Sequence, residues 1–213
     1  MKAPATILLA LVSSVVLASG AWAQTAASEA RSKNYPSTAV GAPGQVVYDA
    51  ASAMEWFRSL PGTWVTNKKD QADDHQHDTK KASGYGGEAQ RISSSSFKTI
   101  AAGSTVMETY LEGTPYEMTL MMHMDGPNTL LINHYCAARN VPQMKFVKTG
   151  KPGEIKFVFD GGTNLNPQVD GHAHDITYQV IDKNTYSLAG TVYQNGKGTT
   201  NEPSLRHRSS GTN

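Results

Sequence analysis

Apolar and polar positions alternate in short runs along most of the chain, near residues 88–98, 105–112, 116–124, 129–138, 143–149, 154–160, 172–181 and 184–193. A period of two is the signature of a half-buried β-strand. The runs are separated by turn-formers: Ala102-Gly103-Ser104, Glu112-Gly113-Thr114-Pro115, Asp125-Gly126-Pro127-Asn128, Gly150-Lys151-Pro152-Gly153 and Asp182-Lys183-Asn184. Each supplies a residue suited to positive φ or a proline with fixed φ. Short strands at regular spacing predict an all-β antiparallel fold, and hairpin-length connections favour an up-and-down barrel of about eight to ten strands.

A different period precedes the strands. Ala50, Ala53, Met54, Phe57 and Leu60 recur at helical spacing behind Asp49, a suitable N-cap, and Pro61-Gly62 ends the pattern. A first strand is predicted at Thr63–Asn67. The charged stretch Lys68–Gly87, ending in Gly84-Tyr85-Gly86-Gly87, reads as a long loop. At the other end, Ser204–Asn213 carries almost no apolar residue. A barrel needs a last strand to pair with its first, so the expectation is a frayed end or a partly open barrel.

The N-terminus carries an address. Lys2, the apolar run Ile7–Ala18 and the small-x-small motif Ala21-Trp22-Ala23 form a signal-peptide pattern, with cleavage before Gln24. The organisation expected is a signal peptide at 1–23, a flexible Pro/Gly-punctuated leader at 24–45, a barrel domain at 46–200 and a weakly ordered tail at 201–213. Export to the periplasm or medium follows. Nineteen basic against eighteen acidic residues leave a formal charge of +1, which offers no field for nucleic acid. No stretch of the mature chain approaches membrane-spanning length. A single cysteine, Cys136, rules out an intramolecular disulfide, so the domain depends on its core.

Two stretches carry a resemblance. Gly113-Thr114-Pro115-Tyr116-Glu117-Met118 with Met122-His123-Met124-Asp125-Gly126, then His134-Tyr135-Cys136-Ala137-Ala138-Arg139-Asn140-Val141-Pro142-Gln143-Met144, resemble a pattern of exported bacterial calycin-like proteins of uncharacterised function. His172-Ala173-His174 and Tyr193-Gln194-Asn195-Gly196-Lys197 fit the same pattern. More distantly, Leu60-Pro61-Gly62-Thr63-Trp64 is similar to the first-strand Gly-x-Trp of lipocalins and to haem-binding nitrobindin-type barrels. The lipocalin resemblance implies a lipocalin-like barrel with Trp64 plugging one end. The nitrobindin type continues with further glycines, where this chain has Val65-Thr66-Asn67, and no cofactor is assigned.

Candidate chemistry concentrates on the hairpin 116–124 with 129–138. A four-residue turn at Asp125–Asn128 would place His123, Met121, Thr119 and Glu117 opposite Leu130, Ile132, His134 and Cys136, all on one face. That face is taken as the interior. On this register His123 and His134 stand roughly 13 Å apart, too far for one metal ion. His172 and His174, at i and i+2, have workable metal spacing but need a further ligand from across the barrel. His75 and His77, among Asp73, Asp74 and Asp78, form a second histidine cluster in the charged loop. No metal site is assigned. Cys136 beside His134 is compatible with a nucleophile and base, but a lone interior cysteine is ordinarily a small apolar group. Met118, Met121, Met122 and Met124 suit a container, since methionine adapts to irregular apolar partners.

The expected function is therefore a small-molecule-binding barrel for an apolar or amphipathic ligand. Its candidate interior residues are Trp64, Glu117, Met121, His123, Ile132, His134, Cys136 and His174. The alternatives are an enzyme using His134, Glu117 and His174 as an acid–base set, and a barrel with a filled core that acts through its surface.

Overall fold

The computed structural model describes residues 41–66 and 94–209. The expected signal peptide, the leader up to residue 40, the charged loop with His75 and His77, and residues 210–213 lie outside the described residues.

Helix α1 (Ala50–Arg58) begins where the sequence indicates. The Asp49 carboxylate accepts the Ser52 N–H at 2.7 Å, and Ser52 Oγ accepts the Asp49 N–H at 2.8 Å. This reciprocal cap satisfies two of the orphan donors of the first turn. The helix buries Ala53, Met54, Trp56 and Phe57. Among the described residues eleven strands follow: β1 (Gly62–Val65), β2 (Ser94–Ile100), β3 (Thr105–Tyr110), β4 (Met118–Met124), β5 (Leu130–Tyr135), β6 (Val141–Val147), β7 (Glu154–Thr163), β8 (His172–Val180), β9 (Thr185–Gln194), β10 (Lys197–Thr200) and β11 (Ser204–Arg208).

Every pairing is antiparallel between neighbours, and β9 joins β8 while β11 joins β1, so ten strands close into an up-and-down barrel. Strand β10 is the outer one, paired among the described residues only with β9. It lies on the same edge of β9 as β11, the two separated by Asn201–Pro203. Proline has no N–H to give a ladder, and the break falls there. The stretch expected as a weak tail thus contains the closing strand. Ser204–His207 pair with β9, and His207 and Arg208 pair with β1. The sequence obscures it because the strand owes its place to backbone pairing on both edges rather than to apolar side chains.

The helix stoppers one end of the barrel. Arg58 Nε donates to the Gly103 carbonyl in the β2–β3 turn at 2.9 Å. Ahead of the helix, the Val46 carbonyl accepts the Gly153 N–H at 2.8 Å, and the Gly153 carbonyl accepts the Val180 N–H at 2.7 Å. Trp56 and Phe57 project into the barrel and meet Tyr178 edge to face, with centroids at 5.7 and 5.1 Å. Trp56 also meets Tyr186 at 5.6 Å, and Phe57 lies 6.0 Å from Phe157. Centroid separations of about 4.5–7 Å in tilted geometry are favourable for aromatic pairs beyond their burial. The half of the barrel nearest the helix is therefore filled by rings.

One expected register does not hold. Met124 pairs with Leu130, His123 with Leu131, Met122 with Ile132, Met121 with Asn133 and Leu120 with His134. The turn is one residue shorter than expected. Gly126 takes φ +77°, and the Asp125 N–H donates to the Thr129 carbonyl at 2.8 Å. Asp125 therefore stays in the ladder and only Gly126–Asn128 loop out. A slip of one residue reverses which side chains share a face. Leu120, Met122, Leu130 and Ile132 belong to the core with His134 on their face, while Met121 and His123 are on the opposite face.

Candidate functional site

The eight residues singled out from the sequence separate into several places. Ile132 and His134 are buried and share the interior face of β5. Met121 and His123 lie across the sheet from them, half-buried, with His123 Nε2 3.4 Å from the Asn133 amide. Glu117 is exposed on the β3–β4 turn, where its carboxylate accepts the Gly113 N–H at 2.8 Å. Cys136 is half-buried in the β5–β6 turn, and its sulfur accepts the Ala138 N–H at 3.4 Å. Trp64 is fully buried at the helix end, its indole N–H donating to the Leu60 carbonyl at 2.9 Å. His174 lies at the opposite end, against His172 and Tyr193. His134, Glu117 and His174 each have a different partner: Met118, the Gly113 N–H and His172.

A polar group inside the barrel escaped the sequence reading. Glu108 on β3 is only 2% exposed and accepts the Tyr178 hydroxyl at 3.1 Å. Burial raises its pKa; the nearby Ser95 and Tyr178 hydroxyls, and the Arg206 charge, pull the other way. Burial likewise pushes the Tyr178 and Tyr186 hydroxyls well above the ordinary phenol range, so both stay protonated. Glu108 sits between Val106 and Tyr110 in a period-two strand, and a lone acid at an inward position was the available signal. Arg206 gave none, because its strand has no apolar pattern.

His134 is the second interior polar residue. Register places Glu108, Leu120 and His134 directly beside one another across β3, β4 and β5. Strands are about 4.8 Å apart, so the carboxylate and imidazole positions are roughly 10 Å apart on one face. Burial holds the His134 pKa down at about 4, and the ring is neutral at physiological pH. Its Nε2 lies 3.4 Å from Met118 Sδ. A thioether only accepts, so Nε2 carries the proton and Nδ1 is a bare acceptor. That Nδ1 is buried and has no hydrogen-bond partner among the described residues.

Asn140, 4% exposed, repeats the pattern at the same end of the barrel. Its Nδ2 donates to the Gly171 carbonyl at 2.9 Å, tying the β5–β6 turn to the start of β8, while its Oδ1 has no partner among the described residues. Buried polar atoms are nearly always satisfied, and each exception calls for a reason. Both of these are acceptors. Comparison with protein-family models and with curated proteins gives no match. Among the described residues no group of three His, Cys, Asp or Glu side chains is placed to hold a metal ion, and no helix is long and apolar enough to cross a membrane.

Proposed function

We propose that this protein is exported and carries a small amphipathic molecule in the half of the barrel away from the helix. The observation that carries the reading is the pair of buried acceptors, His134 Nδ1 and Asn140 Oδ1, left without donors. A bound molecule supplying hydroxyl, amine or amide N–H groups would satisfy them. Met118, Met122 and Met144 are apolar, adaptable neighbours for its body. A neutral His134 with its proton committed to Met118 has nothing to offer a carboxylate, so an alcohol or amine is favoured over the matching fatty acid. The signal-peptide pattern and the resemblance to exported calycin-like proteins support export.

The test is native mass spectrometry of the protein from its export compartment, with an absorption spectrum of the same sample, followed by tryptophan-fluorescence titration with fatty alcohols, amines and acids. Extra mass lost on denaturation, and tighter binding of the alcohol or amine, are expected. A Soret band would instead establish haem and revive the nitrobindin-type resemblance. Equal binding of the acid, or no binding by any of the three, would overturn the reading. The second outcome would favour a barrel that acts through its surface, a reading supported by the rings of Trp56, Phe57, Phe157, Tyr178 and Tyr186 that fill the helix-side half.

A further inference from the structure

The start of β8 holds two imidazoles in an unusual relation. His172 is 2% exposed, and its Nδ1 lies 2.8 Å from the Asp170 carbonyl oxygen. A carbonyl only accepts, so Nδ1 carries the proton and Nε2 presents a lone pair. That lone pair faces His174 Nδ1 at 3.2 Å. The two residues are i and i+2, and the ladder to β9 shifts register between Ala173 and Asp175. The bulge re-aims the strand at this point, as bulges do. His174 is then clamped: Tyr193 stacks on it at 3.8 Å and 22°, and Phe159 at 4.9 Å and 18°.

We propose that His172 Nε2 and His174 Nδ1 form a two-imidazole site for a borderline divalent transition ion, bound most tightly as Cu(II). Two cis nitrogen ligands at about 2.0 Å stand roughly 2.8 Å apart around a tetragonal ion and roughly 3.3 Å apart around a tetrahedral one, and the 3.2 Å present here falls between them. The Asp170 carbonyl plays the outer partner that fixes a ligating histidine's tautomer and orientation. Imidazole suits Cu, Zn and Ni, and the divalent series favours Cu(II). Without metal, His174 Nδ1–H donates to His172 Nε2. On binding, that proton moves to His174 Nε2 of the same ring, both rings remain neutral, and each nitrogen lone pair goes to the ion. Water fills the other positions, because the half-buried His174 keeps one side of the site open.

The site is independent of the interior carrier reading, and its test does not involve an organic ligand. Untagged protein is titrated with Cu(II) alone, by calorimetry and electron paramagnetic resonance, alongside His174→Gln and a double variant, His75→Gln with His77→Gln. One equivalent with two-nitrogen superhyperfine structure is expected in the parent and in the double variant. A loss of affinity of at least roughly tenfold is expected in His174→Gln, since removing even an outer partner of a ligand costs about ten- to hundredfold. Circular dichroism of His174→Gln confirms that the fold is kept; the exposed side of that residue makes it a safer probe than buried His172. Unchanged affinity in His174→Gln overturns the proposal, as does a site lost only in the double variant.

Discussion

The Arg208 guanidinium stands over the Trp64 ring at 4.5 Å and ties the closing strand to the segment that follows the helix. Its Nη2 donates to the Ser59 carbonyl at 3.0 Å and its Nη1 to the Pro61 carbonyl at 2.9 Å. Those carbonyls follow the helix C-terminus, where a cation is favoured. One side chain thus joins helix, first strand and last strand at the stoppered end. Hydrogen bonds to a charged group and a cation–π contact each contribute about 1–2 kcal/mol, with incomplete additivity. Arg208→Ala is expected to cost about 2–3 kcal/mol, read from urea unfolding midpoints. Arg208→Lys should restore less than half of it, because an ammonium cannot span both carbonyls and stack on the indole. Full rescue by lysine would show that charge alone matters.

A glycine fixes the same end. Gly153 has φ +74°, and a Cβ there would lie 2.6 Å from the Val180 carbonyl oxygen. The close approach is what lets its N–H reach Val46 and its carbonyl reach Val180. Gly153→Ala must accept both left-handed strain and a backbone collision, so a loss of about 2–4 kcal/mol is expected. Hydrogen exchange at the Gly153 and Val180 amides should rise before global unfolding. A change within about 0.5 kcal/mol, the size of an ordinary surface substitution, would contradict the close packing.

His134 gives stability a pH dependence of defined sign. Its folded pKa is about 4, against an ordinary value of 6.5. Between those values the unfolded chain takes the proton and the native barrel does not. Stability is therefore fully present above pH 6.5 and is lost as pH falls through about 4. The full gap corresponds to roughly 3 kcal/mol. His134→Gln removes the titration, so the difference in unfolding free energy between the parent and this variant should shrink by that order from pH 7 to pH 4. A difference independent of pH would mean that the ring is hydrated in the native state.

The sequence pattern located the helix, its Asp49 cap and most strands to within a few residues, because cap, period and turn chemistry are local. Two things were hidden. The β4–β5 register depended on whether Asp125 stayed in the ladder, and Gly126 decided that by one residue, which moved Met121 and His123 to the other face. The closing strand carries Arg206, His207 and Arg208 in place of apolar residues, so its role is visible only when Trp64 and the β1 and β9 edges are in place. Of the candidate site, His134 and Ile132 were legible as neighbours on one face. Glu108 was not, although its spacing puts it on the face of Val106, because nothing in the sequence shows that Tyr178 and Arg206 come beside it.

That carboxyl supports the last prediction. Burial raises the Glu108 pKa from its ordinary 4.5, despite the nearby Ser95 and Tyr178 hydroxyls and the Arg206 charge. The native state therefore holds its proton to higher pH than the unfolded chain, and the parent loses stability from this group as pH rises above 4.5. Glu108→Gln keeps an acceptor for the Tyr178 hydroxyl and has no charge to bury. Relative to the parent, this variant should gain stability as pH is raised from 4.5 toward neutrality. Glu108→Leu leaves the buried Tyr178 hydroxyl without its acceptor, with a loss of about 1–3 kcal/mol expected for an unsatisfied buried group. Urea unfolding of the three proteins from pH 5 to 8 measures both effects. A Gln variant whose deficit grows with pH would show that Arg206 outweighs burial and that Glu108 is ionised throughout.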